Sequence, residues 1–159
     1  MARKDITMTP DEVQEFLTAN TVLQVATIGR DGWPHVAPMW YVMDGDRVVF
    51  RSFTKSQKIV NLRRNPKFTV LVETGDDYSQ LRGVMIKAEA RLVDDRDYVL
   101  SIYGGLAAKY PMINDTPMVL EGAEALESAF GRFAAKNTAV VVEPTKVISW
   151  DHTKLGGGY

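Results

Sequence analysis

Residues 22–73 read VLQVATIGRDGWPHVAPMWYVMDGDRVVFRSFTKSQKIVNLRRNPKFTVLVE. The runs VLQVATI, WPHVAPMWYVM and RVVFRSF are rich in β-branched and aromatic residues. They are separated by Gly29-Arg30-Asp31-Gly32 and Asp44-Gly45-Asp46, so they predict three antiparallel strands joined by tight hairpins. Pro34 and Pro38 remove ladder donors from the second run, which predicts a sheet edge or a bulge with backbone groups left free. Thr54-Lys55-Ser56-Gln57-Lys58 interrupts the pattern. Ile59, Val60 and Leu62 then predict a short helix stopped by Asn65-Pro66, and KFTVLVE resumes as a strand.

On the N-terminal side, Thr9-Pro10-Asp11-Glu12 carries a capping box with proline at the first helical position, and Val13, Phe16 and Leu17 form a core-facing stripe. On the C-terminal side, residues 78–93 predict a long strand with Val84, Ile86, Ala88, Ala90 and Leu92 on one face. Helices follow from Asp94-Asp95 to Tyr110 and from Leu120 to Lys136, with an irregular connection around Gly104-Gly105, Pro111 and Pro117. TAVVVEPTKVISWD supplies one or two closing strands. The sum is a mainly β, α+β chain: a six-stranded antiparallel barrel with a few flanking helices, as one domain over 1–159.

Composition narrows the function. The 159 residues carry 19 Lys plus Arg against 20 Asp plus Glu, a formal net charge of -1, so the long-range field of a nonspecific nucleic-acid or anionic-membrane binder is missing. Cysteine is absent, which removes disulfides, thiolate nucleophiles and thiolate-bound metals; any redox chemistry comes from a bound cofactor. His35 and His152 are too few for a histidine-rich metal site, and no metal is predicted. No stretch reaches the ~18 apolar residues of a membrane span, and no apolar signal segment follows the N-terminus, so the expected location is cytoplasmic. Nucleophile-elbow, Walker and dinucleotide glycine patterns are missing, and Asp76-Asp77 and Asp94-Asp95 read as turn and helix-start acids.

Two segments carry chemistry. Thr54, Lys55, Ser56 and Lys58 lie at a strand end and in the first turn of a helix. There, hydroxyls, ammonium groups, free amides and the helix dipole converge on one anion, the outline of a phosphate site. The plainer reading leaves the lysines solvated and Ser56 a simple N-cap; a cation at a helix N-terminus opposes the dipole and favours a compensating ligand. The second segment, residues 32–41, offers free backbone and rings to something planar. Alternatively, Trp33, Trp40 and Tyr41 serve as core or interface aromatics.

Taken in order, the G-x-P-H turn, the strand, the DG turn, the strand ending in polar residues, S-x-K and N-L-R-R-N-P resemble the pyridoxamine 5'-phosphate oxidase-like, FMN-binding split β-barrel superfamily. Within it, they resemble the deazaflavin (coenzyme F-420) dependent reductases. The resemblance covers about residues 20–93. It implies a homodimer with a cofactor groove at the interface and the phosphate held by Lys55, Ser56 and Lys58. The ring lies along Pro38, Met39 and Trp40 and the strand residues Arg51, Ser52, Phe53 and Thr54. Tyr78, Arg82 and Lys87 are expected from the partner chain, and Trp150 near the C-terminus as a cover. The proline-bearing edge also calls for cover by a second copy.

The implied activity is hydride transfer between C5 of a reduced deazaflavin and an unsaturated or conjugated small molecule. FMN is the alternative cofactor and a non-enzymatic flavin carrier the alternative role. The vitamin B6 oxidases proper end in an arginine-containing tail, whereas this sequence ends KLGGGY, which argues against pyridoxamine phosphate as substrate. No side chain is required as nucleophile; His35, Tyr41 and Tyr78 are the candidate proton donors.

Overall fold

The computed structural model describes residues 6–112 and 115–156. Its order is α1 (Pro10–Ala19), β1 (Leu23–Ile28), β2 (Pro34–Met39), β3 (Val42–Asp44), β4 (Arg47–Phe53), α2 (Gln57–Arg64), β5 (Lys67–Thr74) and a 3-10 turn (Tyr78–Gln80). Then come β6 (Arg82–Val93), α3 (Arg96–Lys109), α4 (Ala123–Ala134), β7 (Asn137–Asp151) and a 3-10 turn (His152–Leu155). Every strand pairing is antiparallel, in the order β2-β1-β5-β6-β7-β4-β3. This is the expected α+β split barrel, with seven strands in place of six.

The extra strand has a tertiary cause. The run 33–43 is cut after Met39 because Tyr110, at the end of α3, takes over the backbone of Tyr41. Its hydroxyl accepts the Tyr41 N–H at 3.1 Å and lies 2.8 Å from the Tyr41 carbonyl and 2.9 Å from that of Thr21. With its polar groups satisfied from a helix, the chain leaves the ladder and re-enters it as β3. Two other boundaries move. The strand expected from residue 78 starts at Arg82, after the 3-10 turn, and the closing segment is one 15-residue strand whose register shifts between Lys87 and Ala88 on β6.

Two cores lie on opposite faces of the sheet. Inside the barrel, Phe16 and Leu17 of α1 and Ile59 and Leu62 of α2 meet Leu23, Val25, Phe50, Val70, Val84 and Val140. On the other face, α3 and α4 cover Val42, Val49, Ala139 and Val141. The alternation within β4 and β7 separates the two sets, Val48 and Phe50 facing one way and Val49 the other. On α2, Val60 is exposed and Asn61 is fully buried. The Asn61 side chain reaches Thr27 Oγ1 at 3.0 Å and receives the Gln57 amide at 2.8 Å, so this inward polar position is satisfied.

β2 lies at one edge of the sheet, as its prolines require. β4 pairs with β3 only as far as Val49, so beyond that residue one side of β4 is open. The gap between these two edges positions the candidate site.

Candidate cofactor site

The start of α2 stands in contrast to the start of α1. In α1, Thr9 Oγ1 accepts the Glu12 amide at 3.2 Å and Glu12 accepts the Thr9 amide at 2.7 Å, closing the capping box. In α2, Ser56 is the N-cap residue, yet its side chain makes no capping bond. Its hydroxyl lies 3.0 Å from Ser52 Oγ, and Lys58 Nζ donates to the same Ser52 oxygen at 3.3 Å. The first-turn amides of α2 therefore remain open to an outside acceptor. Burial pushes the Lys58 ammonium below its ordinary pKa, and among the described residues no carboxylate forms an ion pair with it. Two hydroxyls, an uncompensated ammonium and a row of amides could hold an anion.

Pro38, Met39, Trp40 and Arg51 meet in one cavity of about 340 Å³, closed by Val22 and by Leu106 of α3. Arg51 is on the helix-facing side of β4, its guanidinium carbon 4.5 Å from the centre of the Tyr103 ring, and its Nε is buried without a hydrogen-bond partner. Trp40 is stacked on Tyr110 at 4.5 Å. A second cavity, of about 550 Å³, opens at the β1–β2 hairpin between Arg30, Trp33, His35 and Gln57, and His35 Nδ1 is also buried there without a partner.

The other expected site residues have different places. Thr54 is taken up by a structural network: its hydroxyl meets Thr138 at 3.0 Å, and Thr138 bonds Asp94 at 2.6 Å, which also receives Arg63 at 3.0 and 3.1 Å. Phe53 and Lys55 are exposed. Arg82 is held by Asp151 at 3.0 Å and lies over the Phe16 ring. Tyr78 is exposed on its 3-10 turn, with its ring against His152. Lys87 lines a concavity on the outer sheet face with Ala26, Ile28, Pro34 and Thr69. Within one chain, none of Tyr78, Arg82 and Lys87 lines the cavity of Arg51. Trp150, expected as a cover, lies on Gly83 of β6, where a Cβ would stand 2.2 Å from its ring. Tyr41 is fully buried and donates its hydroxyl to the Leu17 carbonyl at 2.6 Å, and burial raises its pKa.

Two residues of the wall escaped the sequence reading. Leu106 and Val22 have no chemical signal; Leu106 reaches the cavity from α3 and Val22 from the residue before β1. Lys109 is the third unpartnered group: its buried Nζ lies 4.1 Å from the centre of the Tyr41 ring, and burial pushes its pKa down to about 8.

The sequence pattern of pyridoxamine 5'-phosphate oxidase matches residues 9–151. The chain belongs to that family. No curated protein matches it. Among solved structures, a conserved hypothetical protein from Mycobacterium tuberculosis is 31% identical, with a TM-score of 0.87 over all of this chain and 94% of that one. An F420 reductase is 26% identical, with a TM-score of 0.63 over 85% of this chain and 94% of that one. An FAD-binding protein from Mesorhizobium loti shares the fold at 20% identity, with a TM-score of 0.60 over 90% of this chain and 92% of that one. No helix among the described residues is long and apolar enough to cross a membrane.

The residues fit a flavin-type cofactor of this family. The uncapped α2 start with Ser52, Ser56 and Lys58 suits its phosphate, and the cavity of Trp40 and Arg51, with stacked Trp40 and the orphaned Arg51 Nε, suits a planar ring bearing acceptors.

Proposed function

We propose that this family member is an oxidoreductase that binds deazaflavin coenzyme F-420 and passes a hydride between it and an unsaturated or conjugated small molecule. The observation that carries this reading is the uncapped start of α2: Ser56 turns its hydroxyl to Ser52 and Lys58 and leaves the helix amides to a phosphate. The relation to an F420 reductase, at 26% identity, supports the deazaflavin over FMN.

When bound, the cofactor supplies the hydride chemistry. The chain's own residues bind, orient and exclude water. Ser52, Ser56 and Lys58 fix the phosphate end on the barrel side of β4, and Arg51, the next residue of the strand, belongs to the cavity on its helix-facing side. Trp40 is braced by Tyr110, and Leu106 closes the helical side against solvent.

The site is completed by a second copy of the chain. Val36, at 59% exposure on edge strand β2, Ile28 on β1 and Lys87 on β6 leave an open outer sheet face. Tyr78, Arg82 and Lys87, which do not reach the cavity of their own chain, belong to the half-site offered to the partner.

Titration of the purified protein with coenzyme F-420 and with FMN, followed through Trp fluorescence, tests the reading. F-420 binding with quenching of Trp40 is expected. Retention of FMN with no response to F-420 replaces the deazaflavin with FMN, and no response to either overturns the reading. Sedimentation is expected to show a dimer; a monomer at micromolar concentration overturns the shared site.

A further inference from the structure

We propose that Arg51 is the charge-binding group of the β2–β4 cavity, holding a flavin-type ring more tightly in its reduced form than in its oxidised form. This rests on the cofactor reading above. Five other arginines of the described chain have carboxylate partners: Arg47 and Arg91 on Glu143, Arg63 on Asp94, Arg82 on Asp151 and Arg96 on Glu127. Arg51 is different. Its Nε is buried with no acceptor, and what holds its guanidinium is the face of Tyr103, which fixes the plane of the group and supplies no hydrogen-bond acceptor.

The rest of the cavity wall, Val22, Pro38, Met39, Trp40 and Leu106, has no charged side chain to compete for that N–H. A cation held in an apolar chamber with a free, oriented donor is arranged for negative charge that arrives there. A hydride carries two electrons and one proton, so the ring that accepts it gains one unit of negative charge until a further proton follows. Arg51 would meet that charge at the cavity wall, a charge that the hydride brings and the oxidised ring lacks. That difference in charge is a difference in affinity between the two redox forms, and so a bias on the potential of the bound cofactor.

The experiment measures the dissociation constants of FMN and of F-420, each in its oxidised form and, anaerobically, in its reduced form. The proteins are wild type, Arg51→Gln and Arg51→Lys. In wild type the reduced form binds more tightly. In Arg51→Gln that preference falls by about tenfold or more, the range for a hydrogen bond to a charged group, which moves the potential down by about 30 mV per tenfold. Arg51→Lys, which keeps the charge, retains more than half of the preference on a logarithmic scale.

If Arg51→Gln does not fold, Tyr103→Leu carries the test: it keeps the charge and releases the guanidinium plane, and the preference falls by threefold or more. A preference unchanged within threefold in the folded variants overturns the proposal while leaving the cofactor reading in place. So does an effect of Arg51→Gln confined to binding of the second substrate. A wild-type protein that binds neither cofactor overturns both.

Discussion

Two lysines of this chain are in the same physical predicament and resolve it in opposite ways. Lys58 and Lys109 are each buried enough to lose proton affinity, and neither has a carboxylate partner among the described residues. Lys109 is in the last turn of α3, where the helix dipole favours a cation, and its ammonium is roofed by the rings of Tyr41 and Tyr110, at 4.1 and 5.4 Å. What compensation it has, and it is partial, comes from within the fold. Lys58 is in the first turn of α2, where the dipole opposes it, beside two hydroxyls and an uncapped row of amides. It is compensated only from outside. A desolvated cation is thus a structural member or a binding group according to what surrounds it.

Substitution at Lys58 gives the largest effect. Lys58→Ala should weaken cofactor binding by about 1.5 to 3 kcal/mol by fluorescence titration, with chemical denaturation of the cofactor-free protein changed by less than about 0.5 kcal/mol. Added salt should weaken wild-type binding more than that of the variant. If the variant melts early and binds normally, the contrast with Lys109 collapses.

Next comes the aromatic roof itself. Tyr110→Phe leaves the buried Tyr41 amide without its acceptor and should cost about 1 to 3 kcal/mol of stability in denaturant unfolding. It should also loosen Trp40, so cofactor affinity falls with it, and an unchanged midpoint would show that Tyr110 does not set the break between β2 and β3.

Lys109→Met keeps the volume and removes the charge. It should change stability by less than about 1.5 kcal/mol at pH 7 and leave cofactor affinity unaltered. Its pH dependence sharpens the comparison. With the folded pKa near 8 and an ordinary value of 10.5, the folded state holds fewer protons than the unfolded state between those limits. Wild-type stability therefore rises with pH from about 8 to 10.5 relative to Lys109→Met, and the two run parallel below pH 8. Parallel curves across the whole range would show that Lys109 is not desolvated.

The smallest effect belongs to Ser56. Because its hydroxyl makes no capping bond, Ser56→Ala should lower stability by less than about 0.5 kcal/mol, below the usual range for a lost cap, while still lowering cofactor affinity. A loss of about 1 kcal/mol or more in denaturant unfolding would restore Ser56 as an ordinary cap.

Features written into neighbouring residues could be read before the structure. The Thr9–Glu12 box, the hairpin turns, the proline edge and the short helix before Asn65-Pro66 each depend on a few adjacent positions, and each is present. The features that escaped depend on distant chain. Tyr41 is taken out of the ladder by a residue 69 positions away, Thr54 is drawn off by Thr138, and Arg51 is identified as unpaired only by the absence of an acceptor in a finished fold. The residue types of the site were legible in S-x-K and the strand before it. The division of labour among them was not, because hydroxyls and ammonium groups are interchangeable in a pattern and distinguishable only by the bonds they make.

β7 contributes Val140 and Val142 to the barrel and Ala139 and Val141 to the helix-covered core, so both sides of its first half are committed. An inserted or deleted residue there would exchange the two sets and strip both cores in one step. Farther along, Ala88 pairs with Pro144 and Lys87 with Lys146, so Thr145 is already a supernumerary residue, its hydroxyl turned to the Lys87 carbonyl at 3.0 Å. A residue gained or lost around Thr145 would therefore leave undisturbed the half of β7 that joins barrel to helices.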